Sequence, residues 1–352
     1  MVHISLPEGD SGRRLVFYLA MEEYVAANLE QIAGKDGDAF FMWQVPPTVI
    51  FGRNQVMEAE VNMPYCREKG IQLYRRKSGG GCVYSDWGNI MLSFITPSTE
   101  VAFTFEKYLE HLALVLRRAG LNAARSGRND VLVDGKKVSG NAYFLQPKTS
   151  IVHGTMLFDS DFDELVKAIT PSQAKIKSKG VESVRQHVTN VRPYFEASEV
   201  EWQHRLADIR CYKKYLINEF CGVRDPDGRI ERIEEVMLTP EQIAEIEKIE
   251  ATYMEPAFLE GRNHAYSVSH KGKIEGVGEL SLDFDIDGGK IVKCHVSGDF
   301  FSSREDVDEY LTSLLAGVPD ERAAVAGKLV DADLGQYVSG LDSEGFLSLI
   351  EK

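Results

Sequence analysis

The 352-residue sequence predicts a large mixed α/β domain followed by a small α+β domain. Strand-like and helix-like apolar patterns alternate through most of the chain, which is typical of a mixed α/β domain. Asp134-Gly135 lies between two β-like runs and predicts a tight hairpin. Beyond Pro256, strand patterns come first and helix patterns follow, an order that predicts a separate α+β domain. We expect the domains to cover residues 1–250 and 257–352.

The first domain is predicted to contain both helices and strands. We predict helices over residues 15–33, 103–120 and 199–220, with Gly120 ending the second. Shorter β-like runs predict strands over residues 39–45, 48–51, 72–76, 89–96, 131–133, 138–145 and 150–158. The third helix carries an apolar stripe that we expect to face the core, made of Trp202, Leu206, Ile209, Tyr212, Leu216 and Phe220.

A helix over residues 239–253 should precede the second domain, because Thr239 and Pro240 have the residue types preferred at a helix N-cap and first position. The second domain is predicted to have strands over residues 265–270, 276–286 and 290–296. Helices should follow around residues 303–315 and 319–328.

Composition argues against several classes of protein. The formal net charge of −14 disfavours nucleic-acid binding, which depends on basic side chains that neutralise phosphates. No segment has the roughly 18 consecutive apolar residues of a membrane helix, and the N-terminal residues lack a signal-peptide pattern. The five cysteines are scattered, as expected of reduced thiols, and the eight histidines show no metal-binding spacing. We expect a cytoplasmic monomer that binds neither nucleic acid nor membrane and has no structural metal.

The most informative stretch is R-R-K-S-G-G-G-C-V-Y-S-D, residues 75–86. Gly79, Gly80 and Gly81 stand between two β-like runs. Glycine has no Cβ atom and can turn its N–H group toward an anion, so the backbone could approach a ligand closely here. Most glycine-rich turns are only turns, so this one is a candidate ligand cradle that needs further support.

A second stretch, D-G-K-K-V-S-G-N-A at residues 134–142, places Lys137 in a hairpin-like segment. The small residues that follow leave room beside its amine. A backbone cradle together with one lysine suits a negatively charged, partly flat ligand such as an acyl-adenylate. Lys136 should point to the opposite face of an extended segment, and we expect it to face solvent.

Together the two stretches resemble the lipoate–protein ligase family, whose pattern reads R-R-x-S-G-G-G-A-V-Y-H-D and later K-(V/I)-S-G-(S/N)-A. Further matches follow in the family's order: F-G-R-N-Q at 51–55, G-N at 88–89, R-N-D at 128–130, H-G-T at 153–155, K-G-V-E-S-V-R at 179–185 and V-T-N at 188–190. G-D-F-F at 298–301 is similar to a segment of the family's accessory domain. The resemblance implies a biotin–lipoate ligase-like catalytic domain, related to class II synthetases, with a small accessory domain.

The resemblance also implies an activity. A lipoate–protein ligase activates lipoate with ATP, releases pyrophosphate, and transfers the lipoyl group from lipoyl-AMP to a lysine of an acceptor protein. Activation is needed because a carboxylic acid does not acylate an amine at neutral pH. The implied ligands are ATP, lipoate and Mg²⁺. The implied acceptors are lipoyl domains of 2-oxoacid dehydrogenase E2 subunits or the glycine cleavage H protein.

Lys137 is the predicted catalytic residue, because its ammonium could touch the lipoate carboxylate and the α-phosphate together as charge develops there. Arg76 could donate two hydrogen bonds to phosphate oxygens, while Arg75 and Lys77 should lie on the exposed opposite face. The residues predicted to bind ATP or lipoate are Arg76, Ser78, Gly79, Gly80, Gly81, Cys82, Val83, Tyr84, Asn89, Asn129, Asp130, Lys137, Ser139, Gly140, His153, Gly154 and Thr155.

Two of these predictions have alternatives. Asn129 and Asp130 match the family's N-D pair near the adenine, and Asp130 is either a ligand of Mg²⁺ or a hydrogen-bonding carboxylate. His153 either lines the lipoyl pocket, as the H-G-T match indicates, or is a core histidine bonded to the backbone.

A short basic segment stands out in this acidic chain. It contains Lys175, Lys177, Lys179, Arg185 and Arg192. We interpret it as a local positive funnel for ATP and an acidic acceptor. An ordinary solvated loop is the alternative.

Three departures from the family pattern leave other activities open. Ser85 replaces a histidine, Cys82 replaces an alanine, and residues 251–263 stand where the accessory domain has a W-x-W-N-Y-G-like segment. The alternatives are a transferase that uses only preformed lipoyl-AMP, an octanoyltransferase of the same fold, and a non-catalytic lipoyl-binding protein. An octanoyltransferase needs a thiolate nucleophile, whereas residues 123–133 contain no cysteine.

Overall fold

The computed structural model describes residues 1–127, 129–169, 187–260, 266–302 and 304–350. No helix in this described part of the chain is long and apolar enough to cross a membrane. The chain divides into two compact units. The first comprises Met1–Ile50, Asn62–Tyr74 and Val83–Leu259, and the second comprises Phe51–Val61, Arg75–Cys82 and Glu260–Lys352. Two short segments of the N-terminal half, including the glycine turn, therefore belong to the second unit.

The described strands are, in chain order, β1 (Val2–Ser5), β2 (Ala39–Trp43), β3 (Thr48–Phe51), β4 (Gln72–Arg75), β5 (Val83–Ser85), β6 (Asn89–Thr96), β7 (Ala123–Ser126), β8 (Asp130–Val133), β9 (Lys136–Leu145), β10 (Ser150–Leu157), β11 (Gly222–Arg224), β12 (Ile230–Ile233), β13 (Glu235–Met237), β14 (Val268–Ile274), β15 (Gly278–Asp287) and β16 (Lys290–Gly298).

The described helices are α1 (Leu15–Ala27), α2 (Leu29–Ala33), α3 (Met57–Glu60), α4 (Met63–Lys69), α5 (Val101–Arg118), α6 (Phe162–Ala168), α7 (Arg192–Glu196), α8 (Glu201–His204), α9 (Ile209–Cys221), α10 (Pro240–Tyr253), α11 (Pro256–Glu260), α12 (Val307–Leu315), α13 (Arg322–Leu329) and α14 (Ser343–Leu349).

The first unit is built on a mixed sheet. Among the described residues, its strand order is β13–β1–β2–β6–β10–β9–β8–β7. β1 runs parallel to β13 and β2, and the remaining neighbours are antiparallel. Helix α1 packs on one side of the sheet against β6 and β10, and α5 packs against β7 to β10. The predicted mixed α/β class is confirmed.

Helix α1 is buried on almost every side because α10 packs against it in addition to the strands. An apolar sequence around the whole helix fits this position. Glu22 is an acidic side chain within α1 and is only 3% exposed, so it needs polar partners. Thr239 caps α10 in a capping box with Gln242, and Pro240 is the first helical residue, as predicted.

Strands β8 and β9 form the predicted hairpin. Asp134 and Gly135 have φ angles of 49° and 77°. Positive φ at both central residues is the signature of a tight primed turn, which Asp-Gly favours. The turn closes the hairpin at Lys136, which pairs with Val133 and is exposed.

The predicted helix over residues 199–220 is wrong in one respect, because the structure divides it. Helix α8 leads into a short 3₁₀ turn, and α9 begins after Asp208, whose carboxylate accepts backbone N–H groups of the next turn. Because of this break, α8 does not continue the apolar stripe of α9, and Trp202 in α8 is 48% exposed instead of buried. Ile209 is half-buried. The predicted burial is confirmed for Leu206, Tyr212, Leu216 and Phe220.

The second unit contains an antiparallel sheet of order β14–β15–β16. Helix α12 packs on β16, α14 on β14, and α13 contacts both helices. Apolar side chains of β15 and β16, including Phe284 and Val296, join Leu311 and Phe346 in one buried core. The predicted order of strands followed by helices is confirmed.

Candidate active site

Lys137 forms an ion pair in the first unit. Its Nζ lies 2.8 Å from Asp130 Oδ1, with the two side chains 35% and 30% exposed. The lysine carbonyl accepts the backbone N–H of Thr189 at 2.9 Å. The amine is therefore held by a carboxylate yet remains open to a ligand, whereas Lys136 is exposed at the hairpin end.

A β-bulge places the lysine beside its carboxylate. The register pairs Ser139 with Val131 but Lys137 with Leu132, so Val138 is an extra residue. In an unbroken ladder, side-chain alternation would send the lysine to the sheet face covered by α5. The extra residue returns it to the opposite face, which Asp130 also occupies; we call this the α1 face.

Gly140 provides the space that the lysine side chain fills. A Cβ atom at Gly140 would lie 2.6 Å from Lys137 Nζ and 2.7 Å from its Cε. The Gly140 N–H donates to Thr155 Oγ1 at 3.0 Å, and Gly140 pairs with Asp130 across the ladder. Four of the predicted site residues therefore meet at one place on the α1 face.

Asn129 is bound to the neighbouring strand. Its Nδ2 donates to the carbonyl of Asn141, and Asn141 Nδ2 donates to the Asn129 carbonyl and to Ser139 Oγ. A Cβ atom at Gly154 would lie 2.0 Å from Asn141 Oδ1, so the glycine makes room for this amide. By register, Ser139 and Gly154 lie on the α5 face. Their binding roles stay predictions.

His153 belongs to a buried polar network. Its Nδ1 lies 2.7 Å from Glu22 Oε2, and Ser93 Oγ donates to Glu22 Oε1 at 2.5 Å. Trp43 Nε1 donates to the same serine oxygen at 3.0 Å. Sequence analysis did not single out Glu22. Its signal was an acidic residue inside an apolar helix, which requires a buried polar partner.

Asn89 is fully buried at the start of β6. Neither its Nδ2 nor its Oδ1 has a hydrogen-bond partner among the described residues. It pairs with Leu157 and, by alternation along β6 and β10, shares the α1 face with His153 and Thr155. Leaving a buried donor or acceptor unsatisfied costs about 1–3 kcal/mol, so the amide is a candidate ligand contact.

Strand β5 supplies three further residues of the glycine-rich motif. Tyr84 is buried opposite Val49, and burial raises the pKa of its phenol. Val83 is half-buried. Ser85, which stands at the family's histidine position, is fully buried, and its Oγ has no partner among the described residues.

Arg76 organises the glycine turn in the second unit. Its Nη2 donates to the carbonyls of Gly79 and Gly81 at 2.7 and 2.8 Å, and its Nε donates to Ser78 Oγ at 3.0 Å. Burial lowers the pKa of the guanidinium to about 10, so it stays charged at neutral pH. Arg76 as a phosphate ligand stays a prediction, and these bonds give it a second role in shaping the turn.

The glycines of the turn approach residues of the second unit closely. Gly80, with φ of 87°, donates its N–H to the carbonyl of Phe300 at 3.0 Å. A Cβ atom at Gly79 would lie 2.3 Å from the same oxygen, whereas at Gly81 the nearest atom, in Asp299, is 3.9 Å away. The Phe300 carbonyl therefore explains the glycine at position 79, and the positive φ explains the one at position 80.

The prediction that Arg75 lies on an exposed face is wrong. Arg75 is only 2% exposed, and its Nη1 donates to the carbonyls of Arg53 and Gln55 at 2.9 and 2.7 Å. Its guanidinium also lies 4.7 Å from the ring centre of Phe51. The carbonyls of residues 52, 53 and 55 need donors, and this arginine supplies them. Lys77 is half-buried.

All five cysteines lie in the described part of the chain and are free thiols. Burial raises the pKa of Cys66 to about 11 and that of Cys221 to about 12, which disfavours the thiolate. Cys82 is half-buried beside the glycine turn.

Asp130 is the one acidic side chain among the predicted site residues. No group of three histidine, cysteine or acidic side chains that could hold a metal occurs among the described residues. Mg²⁺ in nucleotide sites is usually held by one or two carboxylates together with substrate phosphates. The residues present therefore fit a Mg²⁺ that arrives with the nucleotide.

Most of the predicted basic funnel lies outside the described residues, namely Lys175, Lys177, Lys179 and Arg185. Arg192 is described. Its Nη1 lies 2.5 Å from Asp159 Oδ2, and its Nε lies 2.8 Å from Glu196 Oε1. Two carboxylates therefore offset its charge.

Comparison with known proteins shows the family of the chain. Residues 15–212 match the model of the lipoyl protein ligase A/B catalytic domain, and residues 263–350 match that of the bacterial lipoate protein ligase C-terminus. The lipoate–protein ligase LplJ of Bacillus subtilis is 33% identical over 94% of this chain and 95% of its own length. Lipoate–protein ligase 1 of Staphylococcus aureus is 34% identical over the same shares.

Solved structures agree on the fold. The crystal structure of P. falciparum LipL1 in complex with lipoate has a TM-score of 0.71 at 18% identity, covering 99% of this chain and 97% of that one. A lipoate–protein ligase A bound with ATP has a TM-score of 0.56 at 24% identity, covering 74% of this chain and 99% of that one. The chain therefore belongs to the lipoyl protein ligase A/B family of enzymes.

Proposed function

We propose that the protein is an ATP-dependent lipoate–protein ligase. It activates lipoate to lipoyl-AMP with release of pyrophosphate and then transfers the lipoyl group to a lysine of a lipoyl-domain acceptor. The names of its relatives support the lipoate and protein substrates. The ATP-bound structure of similar fold is consistent with the nucleotide. The free cysteines fit a cytoplasmic enzyme.

The geometry of Lys137 is the observation that carries the proposal. Its amine is paired with Asp130, projects from the α1 face, and is given room by Gly140. A half-exposed ammonium held by one carboxylate can exchange part of that interaction for an anionic substrate without moving far. Positioning of this kind lowers the reorganisation needed when the reaction begins.

In the first half-reaction, an oxygen of the lipoate carboxylate attacks the α-phosphorus of ATP, and the bond to pyrophosphate breaks. Two anions must approach each other, and negative charge spreads over the phosphoryl oxygens. Lys137 places a positive charge where the attacking carboxylate and the α-phosphate meet. Asp130 holds the lysine, and with nucleotide phosphates it would hold Mg²⁺, which supplies further positive charge when bound.

The buried amide of Asn89 supports a polar ligand on the same face of the sheet. Its Nδ2, which carries two N–H groups, and its Oδ1 both lack a partner among the described residues. We propose that an oxygen of the adenylate accepts from its Nδ2. The contact would offset the cost of burying the amide, which is about 1–3 kcal/mol.

In the second half-reaction, the neutral amine of an acceptor lysine attacks the acyl carbonyl of lipoyl-AMP. The bond to AMP breaks, and the amine loses a proton to give the amide. No thiol of this chain takes part. The absence of a cysteine from residues 123–133 disfavours the octanoyltransferase alternative, and the raised pKa values of Cys66 and Cys221 disfavour the thiolate of those two buried residues.

A transferase that accepts only preformed lipoyl-AMP is the second candidate. It is favoured by Ser85, a buried hydroxyl without a described partner at the family's histidine position. The two candidates differ in one half-reaction only. The ligase releases pyrophosphate from ATP in a lipoate-dependent manner and also transfers from lipoyl-AMP, whereas the transferase does only the latter.

The test compares both half-reactions with the full chain. Pyrophosphate release is measured with ATP and lipoate, and lipoylation of an apo E2 lipoyl domain is measured with preformed lipoyl-AMP. We expect both reactions to proceed. Transfer from lipoyl-AMP without lipoate-dependent pyrophosphate release would replace the ligase with the transferase, and failure of both would favour a non-catalytic protein.

A further inference from the structure

The F-G-R-N-Q segment at residues 51–55 has no part in the chemistry proposed above. It lies in the second unit and folds against the glycine turn. The Arg53 N–H donates to the Ser78 carbonyl at 2.9 Å, and Arg75 donates to the carbonyls of residues 52, 53 and 55. These bonds fix the backbone of Arg53 beside Ser78, the residue that precedes the three glycines.

The side chain of Arg53 is only partly used. It is 19% exposed, and its Nη1 lies 2.7 Å from Glu305 Oε1. Its Nε and Nη2 groups make no hydrogen bond to any residue that the structure describes. Because a guanidinium has five N–H donors, most of them remain for another acceptor.

The next residue, Asn54, also keeps a donor. It is 2% exposed, and its Nδ2 has no partner in the described part of the chain. Burying a donor without an acceptor is costly, so this amide is a second sign of a ligand beside the segment. Two successive residues of the segment therefore have N–H groups that an anion can satisfy.

Glu305 is an exchangeable partner of Arg53. Its side chain is 67% exposed, and an ion pair that is open to solvent to this extent is weak. The hydrogen bond from Arg53 lowers the pKa of Glu305, and the charge of Lys77 acts in the same direction. A carboxylate therefore takes the place of an anion beside two cations that adjoin the glycine turn.

The ATP step needs cations in addition to Lys137. That lysine acts at the α-phosphate in the proposed reaction, so the β- and γ-phosphates need other partners. Arg76 donates its Nη2 and Nε groups to the glycine turn itself. Arginine suits phosphate because its planar fork donates parallel hydrogen bonds to two oxygens. Arg53 lies beside the turn with donors to spare and fits this requirement.

We propose that Arg53 binds the β- and γ-phosphates of ATP and that Glu305 occupies this site when no nucleotide is bound; this inference rests on the proposed function. The diphosphate displaces the Glu305 carboxylate from the guanidinium, because it brings more negative charge to the same donors. The same contact holds the pyrophosphate that the reaction releases. Glu305 thus competes with ATP for one side chain.

The test measures lipoate-dependent pyrophosphate release over a range of ATP concentrations in Arg53→Ala, Glu305→Gln and the double variant. Arg53→Ala should raise the KM for ATP about tenfold, because the phosphates lose a charged donor. Glu305→Gln should lower this KM about threefold, because the competing carboxylate is lost. In the double variant, Glu305→Gln should have no further effect, since it acts through Arg53.

Two neighbouring charges of the second unit provide matched controls. Arg304 is exposed and paired with Asp306, and Glu309 is exposed on α12. Arg304→Ala and Glu309→Gln should leave the KM for ATP unchanged. Transfer from preformed lipoyl-AMP is a control reaction, because lipoyl-AMP has no β- or γ-phosphate. Its KM should change much less in Arg53→Ala than the KM for ATP does.

Three results would overturn the diphosphate site. The first is an unchanged KM for ATP in Arg53→Ala, and the second is an equal rise in the KM for lipoyl-AMP. The third is a KM for ATP that does not fall in Glu305→Gln, which would make the contact an ordinary structural ion pair. This last result is decisive even if Arg53→Ala does not fold.

Failure of the proposed function gives a different result. If the wild-type chain releases no pyrophosphate from ATP, titration with inorganic pyrophosphate still measures the site. Weaker binding in Arg53→Ala together with tighter binding in Glu305→Gln would retain a diphosphate site on a protein without the ATP step. Equal Kd values in the wild-type chain and both variants would remove it.

Discussion

Lys137 Nζ lies 2.8 Å from Asp130 Oδ1 because one extra residue in β9 turns the lysine side chain onto the face of the sheet that Asp130 occupies. The pair thus depends on a local irregularity of the sheet in addition to the presence of both side chains. A bulge that re-aims a side chain at a functional site is a recognised use of this element. It links the β8–β9 hairpin to the chemistry proposed here.

Asp130→Asn should reduce pyrophosphate release less than loss of the lysine does. The substitution keeps the side-chain size and removes the charge that holds Lys137, so the ammonium remains but is less well positioned. We expect about a tenfold fall in rate, equivalent to about 1.4 kcal/mol in the barrier. Asp134→Asn in the hairpin turn is the control, because asparagine also suits a primed turn. A full rate in Asp130→Asn would exclude this positioning role.

Gly140→Ala should displace the lysine. The new Cβ atom would lie 2.6 Å from Lys137 Nζ, and the flexible side chain would move instead of the backbone. Misplacement of a catalytic group by about 1 Å can cost about 10²-fold in rate, so we expect a loss of that order in pyrophosphate release with little change in unfolding temperature.

The control for Gly140→Ala is Gly327→Ala in α13, where a Cβ atom meets nothing within 4 Å. Alanine in a helix interior should raise stability by about 0.5–1 kcal/mol and leave the rate unchanged. Equal activity of the two variants would show that Gly140 is not needed for the position of the lysine.

Gly79→Ala and Gly81→Ala should differ in stability although they stand two residues apart. A Cβ atom at Gly79 would meet the Phe300 carbonyl oxygen at 2.3 Å, whereas one at Gly81 has its nearest neighbour at 3.9 Å. We expect Gly79→Ala to cost about 1–3 kcal/mol, as overpacking usually does, and Gly81→Ala to have a much smaller effect. Denaturant unfolding of both full-length variants measures the difference. Equal midpoints would contradict the close contact with Phe300.

Truncation after residue 250 should abolish the ATP step. The shortened chain lacks Phe300, so the Gly80 N–H loses its acceptor and the turn loses the segment that shapes it. We expect no lipoate-dependent pyrophosphate release, while transfer from preformed lipoyl-AMP continues, because Lys137 and Asn89 remain. Retained pyrophosphate release by the truncated chain would show that the turn forms without the G-D-F-F segment.

The sequence was sufficient for much of the fold. The Asp134-Gly135 turn was predictable because the two residues tolerate positive φ, and α10 because Thr239 and Pro240 have strong positional preferences. The break within residues 199–220 was not predictable. The apolar spacing continues through Asp208, but the Asp208 carboxylate accepts backbone N–H groups and starts a new helix at Ile209. A local hydrogen bond there outweighs the periodicity.

The sequence predicts which residues form the candidate site but not how these residues are arranged. Periodicity assigns Lys137 to a strand, yet the bulge at Val138 arises from strand pairing, which residue order alone does not encode. Arg75 looked like a surface charge because its acceptors, the carbonyls of residues 52, 53 and 55, are backbone groups that any sequence has. The bond between Gly80 and Phe300 joins residues far apart in the chain.

The rate of lipoate-dependent pyrophosphate release in Lys137→Ala, compared with Lys136→Ala, tests the central claim most directly. The two lysines are adjacent, but only Lys137 is paired with Asp130 and open to a ligand on the α1 face. We predict that Lys137→Ala lowers the rate by about 10²–10³-fold, as loss of one preorganised charge does, with the fold unchanged. Lys136→Ala should retain the wild-type rate. Equal effects of the two substitutions would contradict the assignment of Lys137 as the catalytic residue.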